Sequence, residues 1–139
     1  MPLKHICIVD DDMDDIFLMS ACLKRLEDEA ALKLTISTFT DGRDALSYFS
    51  TTRVPDALLP DCMCLDINMP GMDGIELLTR LREMRHLDRL PIYIVSTTID
   101  RKTHEKAISL GANGSYSKPE TMAAMEEMQK QLLGIRTGE

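Results

Sequence analysis

Residues 5–15 read HICIVDDDMDD: a short apolar run stops at Asp10, Asp11 and Asp12, and Asp14 and Asp15 follow after Met13. Like charges this close repel one another and push each other's pKa up, so the cluster calls for a cation or for solvent. Other residues able to do chemistry also stand at the ends of apolar runs: Asp66 after CMCL, Ser96 and Thr97 after PIYIV, and Lys118 after SYS. Two or three carboxylates converging on one point suit a hard divalent cation such as magnesium, which takes one or two carboxylates, keeps waters and leaves positions for phosphate oxygens. A lysine and a hydroxyl suit the equatorial oxygens of a phosphoryl group. A carboxylate in line with that phosphorus can be the nucleophile, giving an aspartyl-phosphate.

The chain must bring these run-ends together. HICIV reads as a first strand, and Ile16, Met19, Leu23 and Leu26 form the stripe of a first helix that Asp14 or Asp15 can cap. Residues 34–39 alternate as a second strand; Asp41-Gly42 is turn chemistry, and Ala45, Leu46 and Phe49 start a short helix. Residues 50–60, with two prolines, read as a longish loop. Residues 62–65 form a third strand, and Asp73-Gly74 opens a third helix. Residues 91–95 form a fourth strand, residues 100–110 a fourth helix ended by Gly111, residues 115–117 a fifth strand and residues 121–133 a fifth helix, before a frayed tail over 134–139. Five strands alternating with five helices imply an α/β fold, a doubly wound five-stranded parallel sheet with helices on both faces. Continuous apolar runs are what such covered strands need. Function gathers outside the carboxyl ends of these strands, and a flavodoxin-like order sets the first and third side by side. A polar rim is common to all such sheets, but it does not account for acids concentrated on those two strands.

The bounds agree. At 139 residues the chain is expected to be one domain, 1–139, with its core over about 4–133. A formal net charge of −7 argues against a nucleic-acid surface. No apolar run is long enough to span a membrane, and residues 1–10 do not read as a signal peptide, so the expectation is a cytoplasmic protein. Cys7, Cys22, Cys62 and Cys64 lack zinc-site spacing and read as buried thiols. RLREMRHLDR over 80–89 reads as a solvated helix face, and His5, His86 and His104 fall outside the acidic cluster.

CLDINMPGMDG at 64–74 resembles the phosphorylation signature of two-component response regulator receiver domains, the CheY-like family. The acids after the first strand, the hydroxyl after the fourth and Lys118-Pro119 after the fifth follow in the matching order over most of the chain. The resemblance implies Asp66 as phospho-acceptor, Asp11 as direct ligand of Mg2+ (or Mn2+), Asp10 acting through a metal-bound water, and the backbone carbonyl of Asn68 as a further ligand. It implies that Ser96 hydrogen-bonds the phosphoryl group, that Lys118 pairs with it, and that Lys118–Pro119 is a cis peptide, which X–Pro bonds alone adopt cheaply. Pro70 and Gly71 shape the loop beneath the site, and Asn68 and Thr98 match positions that tune dephosphorylation in the family. Asp12, Asp14 and Asp15 read as a solvated rim or helix N-terminus.

The implied function is that of a stand-alone response regulator, similar to those paired with bacterial phytochromes. It would take a phosphoryl group from a sensor histidine kinase or histidine phosphotransfer protein and slowly hydrolyse it. Its partners would bind, or a homodimer form, through the face of the fourth helix, fifth strand and fifth helix, while the first helix docks the kinase. One departure stands out: the family usually has an aromatic three residues before the lysine, where this chain has Ser115. Tyr116 comes one residue later and points to the other face. Two readings compete, a pseudo-receiver that binds without phosphorylation and a haloacid-dehalogenase-type phosphatase using Asp10. An EF-hand fails, because Asp15 and Ala21 stand where it needs Gly and Glu.

Overall fold

The computed structural model describes residues 3–51, 55, 58–97 and 99–135. Strands β1 (Leu3–Val9), β2 (Lys33–Phe39), β3 (Cys62–Leu65), β4 (Ile92–Ser96) and β5 (Gly114–Ser117) alternate with helices α1 (Met13–Glu29), α2 (Gly42–Thr51), α3 (Gly74–Arg82), α4 (Arg101–Ser109) and α5 (Met122–Leu133). The strands are all parallel, in the order β2-β1-β3-β4-β5. This is the doubly wound, flavodoxin-like sheet expected from the alternation, with β1 and β3 adjacent.

Both faces of each central strand are covered, which is why the runs are continuously apolar. Ile6 and Ile8 of β1 and Cys62 and Cys64 of β3 face α1 and α5, against Met19, Leu23, Leu26, Met125 and Met128. Their neighbours Cys7, Val9, Met63 and Leu65 turn to the other side, against Phe49, Leu77, Leu78 and Leu81 of α2 and α3. All four cysteines are buried free thiols, and burial, with Cys62 beside it, pushes the Cys7 thiol up to about 12. Such thiols are core material rather than ligands.

Several element boundaries differ from the sequence reading. Helix α1 is capped by Asp12, whose carboxylate accepts from the Asp14 amide, and not by Asp14 or Asp15. Helix α2 already begins at Gly42, because the Asp41 carboxylate accepts the Arg43 amide at 2.8 Å and its carbonyl accepts from Ala45. Helix α5 closes at Gly134 (φ 66°), and the Ile135 amide reaches back to the Lys130 carbonyl at 2.8 Å, so the expected frayed tail does not start at 134. Residues 136–139, and residues 52–54, 56 and 57 of the long loop, lie outside the described residues.

The segment over 80–89 is solvated at Arg80, Glu83, Arg85, His86, Asp88 and Arg89, but it is not one helix face and Arg82 does not belong to the solvated set. Helix α3 ends at Arg82, whose guanidinium donates to the carbonyls of Gly111 (3.0 Å), Leu87 (2.7 Å) and Leu90 (2.7 Å) and to Asn113 Oδ1 (3.0 Å). Asn113 Oδ1 also accepts the Ile92 amide at 2.9 Å. One planar fork thus ties the end of α3 and the 3-10 turn at Arg85–Leu87 to the start of β4 and the approach to β5. Replacing Arg82 by Ala removes four hydrogen bonds at about 0.5–1.5 kcal/mol each and leaves the Gly111 and Leu90 carbonyls without the guanidinium donor. Urea unfolding is expected to show a loss of about 2–4 kcal/mol for Arg82→Ala, only partly restored in Arg82→Lys, which lacks the fork. A loss near zero would mean that water satisfies those carbonyls.

Candidate functional site

Asp10, Asp66 and Lys118 each stand one residue past a strand end, on backbone held by the neighbouring strand. The Asp10 amide donates to Phe39 O (3.0 Å), the Asp66 amide to Val9 O (2.9 Å) and the Lys118 amide to Ser96 O (2.7 Å). The ladder therefore continues just beyond β1, β3 and β5 and fixes where these side chains start.

The loop after Asp66 is shaped by two glycines. Gly71 sits at φ 79°, where a side chain is strained. Gly74 lies under the site: a Cβ there would stand 2.1 Å from the Asp66 carbonyl oxygen. The first turn of α3 can approach Asp66 this closely only with glycine, and Asp73 caps that helix by accepting the Glu76 amide at 2.8 Å.

Around this frame the side chains converge. Asp10 and Asp66 are buried, 2% and 5% exposed, while Asp11 is exposed; one carboxylate oxygen from each lies within 4.8 Å of the others. Ser96, fully buried at the end of β4, donates to Asp66 Oδ1 at 2.7 Å. The Lys118 ammonium lies 2.9 Å from Asp10 Oδ2 and 3.7 Å from Asp66 Oδ2. Asp10 Oδ1 accepts the Asp12 amide at 2.9 Å. Burial pushes the Asp10 carboxyl above the ordinary carboxylate range and Asp66 adds to the push, against the pull of the Asp12 amide and Lys118. Burial alone would lower the Lys118 pKa, but Asp15, Asp10 and Asp66 outweigh it and hold the ammonium above its usual value. Three hard oxygen donors, two of them buried, fit a divalent cation such as Mg2+ or Mn2+ far better than a soft metal.

The structure brings together Asp10, Asp11, Asp66, Ser96 and Lys118, as the sequence predicts. Asn68 is exposed in the loop two residues beyond Asp66, and Thr98 lies outside the described residues. The Lys118–Pro119 bond is trans, not cis; trans is the lower-energy isomer by about 0.5–1 kcal/mol, and Lys118 reaches its carboxylates from it. Asp15 is not rim: its Oδ2 lies 2.5 Å from Lys118 Nζ. The sequence carried a signal for this, because with Asp12 as cap Asp15 becomes the third helical residue, the position whose side chain turns back towards the start of the helix. The histidines stay outside the cluster. His5 meets Ser37, His86 meets the Phe49 carbonyl, and the His104 ring bonds the Ser115 hydroxyl. Tyr116 lies on the other face of β5 against Tyr93, with ring centroids 6.1 Å apart.

A family model described as the response regulator receiver domain matches residues 6–130. The cyclic di-GMP phosphodiesterase response regulator RpfG of Xanthomonas campestris is 30% identical over 132 residues, which are 95% of this chain and 32% of that protein. The chain spans only 16% to 51% of the length of this and two further curated relatives. The phosphorylated cyanobacterial phytochrome response regulator RcpA superposes with a TM-score of 0.80 at 24% identity, covering 98% of this chain and 99% of that one. The response regulator RPA3017 in red light signaling of R. palustris superposes at 0.77 and 26% identity, covering 93% and 90%. Among the described residues no helix is long and apolar enough to cross a membrane.

Two outcomes follow from the electrostatics. Only the folded chain brings Asp10, Asp11 and Asp66 together, so magnesium held there, at about 100 times its Kd, is expected to add about 2.7 kcal/mol to stability, read as a rise in Tm. Asp11→Asn and Asp66→Asn should each lose most of that rise. Lys118→Met leaves Asp10 facing Asp66 without a counter-ion and should cost about 3 kcal/mol at neutral pH without metal. Its sign with pH is set by Asp10. A carboxyl whose folded pKa is raised destabilises above that pKa and ceases to as pH falls through it. The deficit of Lys118→Met against wild type in denaturant titrations should therefore shrink on acidification; a deficit that grows would overturn the assignment.

Proposed function

Because the chain belongs to the response regulator receiver domain family, whose members interact with histidine kinases and downstream effectors in phosphorelay signalling, we propose that Asp66 is the phospho-acceptor. A carboxylate oxygen of Asp66 attacks the phosphorus of a phosphohistidine on a sensor kinase or histidine phosphotransfer protein; the N–P bond breaks and the imidazole leaves with its electron pair. Ser96 and Lys118 take up the phosphoryl oxygens. Asp11, Asp66 and the Asn68 carbonyl would hold a divalent cation, with Asp10 acting through water, and the cation would supply Lewis-acid stabilisation to the transferring group. Later, water attacks the phosphorus, the P–O bond to Asp66 breaks, and inorganic phosphate and the free carboxylate result. The observation that carries this reading is the surroundings of Asp66: a 5% exposed carboxylate, bonded by a fully buried hydroxyl at 2.7 Å and faced by an ammonium at 3.7 Å, beside two further acids.

The partner surfaces are part of the proposal. Phe17 and Met13 on α1, 77% and 63% exposed, suit docking of the kinase beside the acids. Exposed Ile108 on α4 and Met122 on α5 suit a downstream partner or a second copy on the α4–β5–α5 face. We propose stand-alone action in the cytoplasm and, supported by the likeness to two solved regulators named for phytochrome and red-light signalling, a regulator of the phytochrome-associated kind.

The test is intact mass after incubation with a small-molecule phosphodonor, with magnesium and then with a chelator. The expected result is a gain of one phosphoryl group that needs magnesium and is abolished in Asp66→Asn but only weakened in Asp10→Asn. The reverse pattern would point to a phosphatase using Asp10. No gain, together with no beryllofluoride binding, would leave a binding module without phosphoryl chemistry.

A further inference from the structure

Lys118 has one more carboxylate than the phosphoryl chemistry requires. Its ammonium lies 2.5 Å from Asp15 Oδ2, closer than Asp10 at 2.9 Å and much closer than Asp66 at 3.7 Å. An ammonium has three donors, and here the two short contacts point to Asp15 and Asp10. The three partners differ in origin. Asp10 and Asp66 sit at strand ends, whereas Asp15 projects from the first turn of α1, where a carboxylate is favoured by the helix N-terminus in any case. Asp15 is also outside the metal-ligating group: the carboxylates within 4.8 Å of one another are those of Asp10, Asp11 and Asp66. The Lys118 side chain is 14% exposed and that of Asp15 32%, so water screens their pair only in part.

We propose that Asp15 is a positioning residue that competes with the phosphoryl group for Lys118: it holds the ammonium towards α1 while Asp66 is unmodified, and so sets how tightly the site grips a phosphoryl group on Asp66. The inference rests on the reading of Asp66 as acceptor. A phosphoryl group adds negative charge at Asp66 and needs the ammonium that now stands 3.7 Å away. Drawing it in stretches or breaks the 2.5 Å contact with Asp15. Neutralising Asp15 removes the competitor and also one negative charge that an incoming anion must face. Both effects act in the same direction, towards tighter retention.

The probe is beryllofluoride, a non-covalent mimic of the phosphoryl group, titrated with magnesium and followed by fluorine NMR. Wild type, Asp15→Asn, Asp15→Glu and Asp14→Asn are compared on the full chain. Asp14 lies on the same turn and is exposed, so it reports a general charge effect. Asp15→Asn is expected to bind beryllofluoride about three- to tenfold more tightly than wild type, with magnesium affinity measured alone within about twofold of wild type. Asp15→Glu should return towards wild type. The Lys118 Nζ resonance of free Asp15→Asn should shift towards that of the beryllofluoride-bound wild type, a change that altered stability alone does not produce. Unchanged or weaker binding in Asp15→Asn, or an equal gain in Asp14→Asn, overturns the proposal. If wild type binds beryllofluoride and Asp15→Asn matches it, only the role of Asp15 fails. If wild type does not bind it at all, the Asp66 reading fails and this inference falls with it.

Discussion

A single ammonium against a set of carboxylates is the constraint on which the rest depends. Asp10 and Asp66 are almost fully buried, and two like charges at such separations repel by about 3–4 kcal/mol at an effective dielectric of about 20. Lys118 is placed among them at 2.9 and 3.7 Å, so the fold can tolerate before any ligand arrives a concentration of charge that would otherwise drive it to protonate or open. The same arrangement leaves the site under-compensated: one positive charge faces four carboxylates, those of Asp10, Asp11, Asp15 and Asp66. A small divalent cation is the natural complement to what remains.

Placing that ammonium is the work of the sheet. The carboxylates arrive from β1 and β3, which must be neighbours, and the lysine from β5, at the edge. The parallel ladder runs one residue beyond three of the strands to pin the amides of Asp10, Asp66 and Lys118, which turns a set of flexible loops into fixed starting points for side chains. The close fit of Gly74 beneath the Asp66 carbonyl completes the floor. Precision at the site is therefore a property of strand order and register more than of the loops that carry the residues.

The strand order, the covered faces and five of the site residues were legible in the sequence, because continuous apolar runs and the acids, hydroxyl and lysine at their ends are local signals. What escaped was set by geometry between elements. Asp12 and Asp15 could be told apart from Asp14 only by knowing where α1 begins, since one residue of offset swaps a cap for a solvated side chain. Arg82 looked like one more basic residue on a polar face; its four acceptors come from segments up to 31 residues away. The cis bond expected at Lys118–Pro119 came from resemblance alone, and the chain here places its lysine through a trans bond. The displaced aromatic was read correctly from alternation. Ser115 turns towards α4, where the His104 ring meets its hydroxyl, and Tyr116 turns away to lie tilted beside Tyr93.

The knot built by Arg82 and Asn113 gives strand β4 two unlike ends. Its first residue, Ile92, is held by the Asn113 side chain within a network that also grips α3 and the approach to β5. Its last, Ser96, meets Asp66 through one hydroxyl. The side-chain network thus fixes the end of β4 away from the site, while at the site end the ladder to β5 holds the backbone and leaves the Ser96 hydroxyl to meet Asp66.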